Sequence, residues 1–353
     1  MNKITKIVAS LILSFAVSMS AFAGELTVTG TAKATYSTYS GNANGDNSIG
    51  VANELGFSAA GELDNGWTWN YAIALDPDGT TAGGGSAIND DSKLTLTTPY
   101  GTFAACGSDC GLGAQLAWSA NAYAVITDTA FAEGKQEPVN ISSYQNVQYH
   151  TPAGLLPFGT VLKAAYAPSG NTVNGSANTA NTTKSATIGN TTQYSISTSP
   201  IDGLAVSASY TDQEGGDVAG QTDDQSEEGG AIAATYAIGS FKLGVGKAWR
   251  APVLADVTTS TNGATTAEFY ENTNYSVGFN VNDNLSVSFS RETSEVNYLT
   301  STTVAYDQET DSIQAAYTMG GMTLAVSRST YDNVDYKNKN DVTETLLAVT
   351  MAF

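Results

Sequence analysis

A stretch near the start of the chain decides the fold: residues Glu25 to Tyr36 read ELTVTGTAKATY. Apolar or small side chains occupy every second position from Leu26 onward, and threonine or lysine occupies the positions between them. Successive side chains of a β-strand point to opposite faces, so this alternation predicts a strand with one apolar and one polar face. The same period of two returns in residues 285–290 and 322–327. The chain therefore repeats one amphipathic strand design.

Short turns and long polar loops alternate along the rest of the chain. Seven short breaks rich in Gly, Pro, Asn and Asp join neighbouring strands, at residues 64–66, 99–101, 152–159, 200–203, 238–240, 282–284 and 319–321. Eight longer stretches separate these hairpins, near residues 40–48, 77–90, 106–141, 168–189, 212–228, 251–267, 295–308 and 333–341. The hairpins and two terminal strands, Glu25 to Thr38 and Val342 to Phe353, together predict sixteen strands.

Charge and composition restrict the classes of function. The chain has 34 acidic and 14 basic residues, a formal net charge of -20, which argues against nucleic acid as a partner. Its 18 tyrosines and only 8 prolines favour strands, because aromatic side chains pack well on a pleated surface. Beyond Ala23 no apolar run reaches about eighteen residues, so a membrane role would require a closed β-barrel.

The first 23 residues have the organisation of an export signal. Lys3 and Lys6 precede an uncharged apolar stretch that ends at Ala21-Phe22-Ala23, the small-residue pattern of a cleavage site. The alternative is an uncleaved membrane anchor, for which the apolar stretch is short. We expect residues 1–23 to be a cleaved signal peptide and residues 24–353 to form one barrel domain outside the cytoplasm.

An even number of strands, with short turns on one side and long loops on the other, is typical of outer-membrane barrels. We predict an all-β fold: a 16-stranded antiparallel transmembrane β-barrel with short periplasmic turns and long extracellular loops. The alternative is a soluble propeller or sandwich, whose dry core would need more large apolar residues in the middle of its strands. A barrel of this size encloses an aqueous channel and presents its apolar face to lipid.

The last strand carries the most specific feature, an apolar face that ends on an aromatic residue. A terminal strand of this kind resembles the assembly signal of bacterial outer-membrane proteins, carried here by Leu347, Val349, Met351 and Phe353. Residues 24–353 as a whole resemble the general-diffusion porins of Gram-negative bacteria, most of all the alphaproteobacterial kind. The resemblance implies a homotrimer embedded in outer-membrane lipid, with the third long loop of each barrel folded inward.

The third long loop, residues 106–141, is the predicted constriction loop. It contains apolar residues such as Leu116, Trp118 and Phe131, which suit packing inside a barrel. The acidic residues predicted for the constriction are Asp109, Asp128, Glu133 and Glu137. Strand parity predicts that the basic residues of the facing wall point into the lumen: Lys33, Lys93, Lys163, Lys242 and Arg250. Acids facing bases would set a transverse field across the pore.

The alternative for these charges is that they are scattered solubilising groups. The constriction of the family is usually rich in arginine, whereas this chain has three arginines in all. It also lacks the Pro-Glu-Phe-Gly loop motif of the enterobacterial porins.

Two cysteines and several acidic loops suggest further sites. Cys106 and Cys110, in an oxidising compartment, predict a disulfide that stiffens the root of the third loop. No cofactor is expected, although the acidic loops offer candidate ligands for Ca²⁺ or Mg²⁺ at Asp76, Asp78, Asp223 and Asp224. The alternative is a solvated charged loop, because no complete calcium-loop spacing is present.

These features predict a passive pore for small hydrophilic solutes and ions, with cations preferred because of the net charge. An enzyme is not expected, since no G-x-S-x-G or H-E-x-x-H motif occurs and the single histidine, His150, is expected at the periplasmic end of a strand. Two other functions stay open. One is a substrate-specific outer-membrane channel, and the other is a non-conducting surface or adhesive barrel with a plugged lumen.

Overall fold

A computed structural model of the chain describes residues 26–42, 47–76, 88–107, 110–112, 120–123, 140–141, 145–168, 188–215, 223–252, 254–255, 267–298 and 304–353. In this part of the chain, sixteen strands form one closed antiparallel barrel, which confirms the predicted fold. The last strand pairs with the first from Thr31 opposite Ala352 to Gly41 opposite Val342, and this ladder closes the ring. The predicted signal peptide lies outside the described residues.

The strands, numbered in chain order, are β1 (Leu26–Gly41), β2 (Ser48–Glu62), β3 (Thr68–Asp76), β4 (Ile88–Thr98), β5 (Gly101–Cys106), β6 (Asn146–His150), β7 (Val161–Ala167), β8 (Ile188–Ile201), β9 (Leu204–Gly215), β10 (Asp223–Gln225), β11 (Glu227–Ile238), β12 (Phe241–Ala251), β13 (Leu254–Ala255), β14 (Ala267–Asn280), β15 (Leu285–Tyr298), β16 (Gln308–Met319), β17 (Met322–Asp332) and β18 (Val342–Ala352). β10 and β13 pair with each other outside the ring. The sequence pattern did not predict this small sheet, because both strands lie within stretches that read as long loops.

All seven predicted short turns connect neighbouring barrel strands. The turn between β8 and β9 shows why such turns need glycine. Gly203 has a φ of 77°, and a Cβ added there would overlap the backbone oxygen of Ala237. Two 3-10 turns are described in full, Pro157–Gly159 and Val334–Tyr336, and no described helix is long and apolar enough to cross a membrane.

The two faces of the barrel wall are chemically opposite. On the outer face of β1, Leu26 and Val28 are 64% and 53% exposed. On the inner face of the barrel, Gln193 of β8 and Gln314 of β16 are each only 1% exposed. A soluble sandwich or propeller would bury the apolar set, whereas this barrel buries polar side chains and exposes apolar ones. That arrangement suits a wall with hydrocarbon outside it.

Two ion pairs interrupt the apolar outer face. Lys247 on β12 and Glu271 on β14 lie 2.6 Å apart between Nζ and Oε1. On the next strands Arg291 Nε donates to Asp311 Oδ1 at 2.6 Å. These residues share strand parity with exposed apolar neighbours such as Val245 and Ile313. The charges of both ion pairs are therefore matched by an opposite charge, which lowers the free energy needed to expose them to an apolar environment.

Candidate functional site: the barrel lumen

The loop between β5 and β6 turns into the barrel at both of its ends. Near its start, the Gln148 side-chain amide donates to the carbonyl oxygen of Cys110. The backbone N–H of Leu112 donates to Gln193 Oε1 on β8 at 3.0 Å. Near its end, Ile141 packs with Leu112 against the inner side of β7 and is 0% exposed. Both ends of this loop are thus fixed to the inner face of β6 to β8.

The middle of the same loop reaches the far side of the lumen. We call residues 120–123 the crossing segment. Its backbone N–H groups donate to three inner-face side chains: Ala120 to Ser276 Oγ at 2.7 Å, Ala122 to Ser288 Oγ at 2.8 Å and Tyr123 to Gln314 Oε1 at 3.0 Å. These acceptors stand on β14, β15 and β16. Because β16 is diametrically opposite β6 in the ring, the loop spans the lumen from wall to wall.

A glycine makes room for the crossing segment. Gly278 is the inner-face residue of β14 next to Ser276, and a Cβ added there would overlap the backbone oxygen of Ala120. At the other end of the segment, Lys33 Nζ of β1 lies 5.3 Å from the centre of the Tyr123 ring, a cation–π contact. The crossing segment is therefore held by polar, steric and cationic contacts on four strands.

A second loop folds over the same side of the lumen, which the sequence pattern did not predict. It connects β17 to β18, and Tyr336 at its centre exchanges a hydrogen bond of 2.9 Å with Ser294 Oγ of β15. The Tyr336 ring lies 5.8 Å from the ring of Tyr270 on β14. The backbone N–H of Asp335 donates to Gln308 Oε1 of β16 at 3.3 Å. The tyrosine at position 336, in a loop otherwise rich in Asn, Asp and Lys, was the available signal.

The inner-face side chains of β1 and β2 are more accessible than those of β15 and β16. On β14 to β17 the inner-face side chains Ser290, Ser312 and Thr310 are buried. On β1 and β2 the inner-face residues Thr31 and Glu54 are exposed. The lumen beside β1 and β2 is therefore more open to water than the lumen beside β15 and β16.

A sequence model described as Gram-negative porin matches residues 8–251, which is more than half of the chain. This chain belongs to the Gram-negative porin family. The resemblance drawn from the strand pattern and from Phe353 is confirmed by this match. Among curated proteins, none matches the sequence of this porin significantly.

Solved porin structures share the fold of this porin. A mutant porin of Rhodopseudomonas blastica is 14% identical, with a TM-score of 0.63 over 93% of this chain and 100% of that one. OmpT of Vibrio cholerae with its loop L8 deleted, an outer membrane protein, is 13% identical, with a TM-score of 0.62 over 94% of this chain and 99% of that one. Salmonella typhi OmpF in complex with daunomycin is 14% identical, with a TM-score of 0.63 over 94% and 98%.

At such identity the structural likeness establishes the fold alone. The family match and the fold together support an outer-membrane diffusion channel, since the family and its fold are those of channels rather than enzymes.

The structure places the five predicted wall bases of the porin on the lumenal face but spreads them along it. Lys33 contacts the crossing segment, and Lys242 stands opposite Gly278. Lys93 stands opposite Cys106 in the β4–β5 ladder, and Lys163 stands opposite His150. Arg250 Nε donates to Glu227 Oε1 at 2.8 Å. Lys33 thus contacts the crossing segment, Lys242 stands opposite the glycine that Ala120 approaches, and the charge of Arg250 is paired on its own wall.

The predicted disulfide is not formed in the porin. Neither Cys106 nor Cys110 is part of a disulfide, and both are buried. Cys106 is fixed by the ladder opposite Lys93 and Asn146. The Cys110 thiol donates to the backbone oxygen of Ser92 at 3.8 Å and also lies beside the Cys106 thiol. Hydrogen bonds to the backbone, including Gly107 N–H to the Ser92 oxygen at 2.7 Å, hold the loop root instead.

The acidic residues predicted for the constriction lie outside the described residues: Asp109, Asp128, Glu133 and Glu137. The same holds for Asp78 among the candidate cation ligands, while Asp76 ends β3 and Asp223 and Asp224 belong to β10. Their role as ligands stays a prediction. His150 is the last residue of β6, beside the short turn that leads to β7, and its ring contacts Gln148 Oε1 at 3.0 Å.

Proposed function

We propose that this porin forms a water-filled channel in the outer membrane of a Gram-negative bacterium, through which small hydrophilic solutes diffuse passively and cations pass preferentially. The observation that carries the proposal is the crossing segment, a strap anchored to hydroxyl and amide groups on the inner wall. A strap of this kind narrows the lumen, and the inner-face residues Thr31 and Glu54 on β1 and β2 remain exposed. The net charge of -20 supports the cation preference, because it raises the local concentration of cations at the mouth.

Flux through vesicles tests passive diffusion. Vesicles containing the purified porin should admit uncharged sugars at rates that fall with sugar size and do not saturate, because no binding step limits diffusion. Heat-denatured porin in the same vesicles is the control. Saturable uptake of one solute would favour a substrate-specific channel, and no uptake of any sugar would favour a plugged surface barrel.

A salt gradient across a planar bilayer tests the cation preference. In a KCl gradient the reversal potential should have the sign of potassium selectivity. The changes Asp128→Asn and Glu133→Gln test whether the third loop contributes, and we expect each to reduce the selectivity. A reversal potential of the opposite sign would refute the cation preference but would not contradict the proposed water-filled channel.

We further propose that the mature chain is residues 24–353 and that it assembles as a homotrimer surrounded by outer-membrane lipid. The export-signal pattern that ends at Ala23 supports the start of the mature chain at Gly24. The resemblance to general-diffusion porins supports the homotrimer and its lipid surroundings. Sequencing the amino terminus of the porin purified from membranes should begin at Gly24. Native mass spectrometry should then give three copies per particle, and a monomer would contradict the proposal.

A further inference from the structure

Between Ser48 and Ala60, the inner face of β2 carries one long side chain in a row of small ones. From the long-loop end downward, the inner-face residues are Ser48, Gly50, Ala52, Glu54, Gly56, Ser58 and Ala60, and Glu62 ends the strand beside the short turn. Their outer-face neighbours Val51 and Leu55 are exposed apolar residues, which fixes the parity of the strand. Glu54 is therefore the side chain that projects furthest from this stretch of wall into the lumen.

The neighbours of Glu54 on β1 leave its carboxylate open to water. Thr31 stands directly opposite Glu54, and Lys33 stands opposite Ala52, one step further toward the long-loop end. The Lys33 ammonium lies over the Tyr123 ring of the crossing segment. Among the described residues no hydrogen bond or ion pair engages Glu54, and its side chain is exposed. The positive charge nearest to Glu54 along this wall is thus directed toward the loop.

Glu54 also stands beside the passage that the two inward loops leave open. The crossing segment ends against Lys33, and the loop between β17 and β18 covers β14 to β16. Thr31 and Glu54 are exposed next to the position where Lys33 contacts the crossing segment, so solutes in this part of the lumen have access to the Glu54 carboxylate. At physiological salt the field of a charge extends about 8 Å into water, a distance comparable with the width of a narrow passage. Each passing ion therefore experiences the carboxylate.

We propose that Glu54 is a specificity-determining residue of the channel: an exposed wall carboxylate that attracts cations into the passage beside the crossing segment. This inference rests on the proposed function, because it assigns the cation preference of that channel to one side chain on β2. Lys33 keeps its positive charge but is directed toward Tyr123 of the loop, so it opposes this effect only in part. The wall beside the loop then carries an acid as well as the bases that the sequence alone suggested.

Single-channel recordings of the Glu54→Gln variant test the assignment. The variant keeps the size of the side chain and removes its charge, so the potassium-to-chloride permeability ratio should fall by about twofold or more in dilute KCl. The difference from wild type should shrink in concentrated KCl, because salt screens the field. Glu54→Lys should move the reversal potential further, toward chloride selectivity.

The matched control is Glu309→Gln. Glu309 is on the outer-facing parity of β16, opposite Thr293 and Asp332, so the change alters the net charge equally but outside the passage. We expect wild-type selectivity from this variant. If Glu54→Gln fails to assemble, Glu54→Ala replaces it, because Ala52 already occupies the next inner-face position of the strand.

The outcomes separate the inference from the function on which it rests. If Glu54→Gln conducts with the selectivity of wild type at low salt, Glu54 does not determine the selectivity, and the proposed channel function is unaffected. If Glu309→Gln changes the selectivity as much as Glu54→Gln does, net charge and not the wall carboxylate sets the preference. If wild-type protein itself shows no conductance, the proposed function fails.

Discussion

Gly278 decides whether the crossing segment can lie against the wall. The backbone oxygen of Ala120 occupies the space that a side chain at this position would need. The change Gly278→Val should push the crossing segment away from β14, because a backbone carbonyl cannot rotate aside as a flexible side chain can. We expect a larger unitary conductance in bilayer recordings of this variant.

A glycine in a short turn provides the control for this prediction. At Gly239, between β11 and β12, an added Cβ would meet no atom within 4 Å, and asparagine tolerates the φ of 57°. Gly239→Asn should therefore conduct as wild type does. Wild-type conductance in both variants would show that the contact with Ala120 does not set the width of the passage.

Phe353 is the residue at which the barrel closes. Its backbone exchanges two hydrogen bonds with Gly30, of 2.8 and 3.0 Å, and its ring covers the face of that glycine. Phe353→Ala should lower the fraction of porin that reaches the membrane as a heat-modifiable barrel, since it removes the ring predicted to act as an assembly signal. Electrophoresis of unheated membrane samples measures this fraction.

Another outer-face aromatic residue provides the comparison. Phe241 begins β12 near the same end of the barrel and is 50% exposed. Phe241→Ala should assemble nearly as well as wild type. Equal losses from the two variants would indicate a general need for aromatic residues on this rim, without a special role for Phe353.

At the scale of elements, the third long loop depends on acceptors supplied by distant strands. The double change Ser276→Ala and Ser288→Ala removes two of the three hydrogen bonds that hold the crossing segment. Each loss should weaken the docking by about 1 kcal/mol. We expect larger current fluctuations in the open channel, with the barrel still folded.

A third serine on the same wall is the control for the loop anchors. Ser286 shares strand β15 and the inner face with Ser288 but lies nearer the short turn. The open-channel current of Ser286→Ala should fluctuate no more than that of wild type. If the current of the double variant also fluctuates no more than that of wild type, these hydrogen bonds do not hold the loop.

The elements also show which features a sequence pattern can predict. The strands and their turns follow from local signals, namely a period of two and glycine or proline where the chain reverses. The docking of the crossing segment does not, because Ala120 and Ser276 are 156 residues apart and Tyr123 and Gln314 are 191 apart. The same reason explains why the inward loop around Tyr336 was missed. The disulfide was predicted from spacing and compartment; the two cysteine side chains do lie together at the loop root, but their sulfurs are not bonded.

At the scale of the whole molecule, the outer wall must suit lipid although it carries charge. Asp311→Asn would leave the guanidinium of Arg291 without its carboxylate on that wall. We expect a loss of about 1 kcal/mol in the free energy of unfolding, because an unpaired charge is costly to present to an apolar environment. Urea titration of the barrel folded in lipid vesicles measures this loss.

An exposed loop pair separates this effect from the mere loss of a charge. Lys337 and Asp335 lie 3.0 Å apart in the loop between β17 and β18, with the lysine side chain 69% exposed. Asp335→Asn should change the unfolding free energy by less than Asp311→Asn does. Equal changes would show that the outer-wall pair has no membrane-specific role.

The direction in which each charge faces is also a property of the whole molecule. The sequence correctly indicated an acidic chain, and strand parity gave the face on which each strand charge lies. It did not reveal that Arg250 is paired with Glu227, that Lys33 contacts Tyr123, or that Glu54 is exposed on the inner face near Lys33. These features require the closed ring, since each joins residues from different strands or loops.

The most direct test of a polar, open passage inside this barrel is the current carried by single molecules in a planar bilayer. Purified wild-type porin added at low concentration should insert in discrete steps, each giving a stable ohmic conductance in KCl. A protein that folds into the membrane as a heat-modifiable barrel yet never produces such steps would show that its lumen is closed.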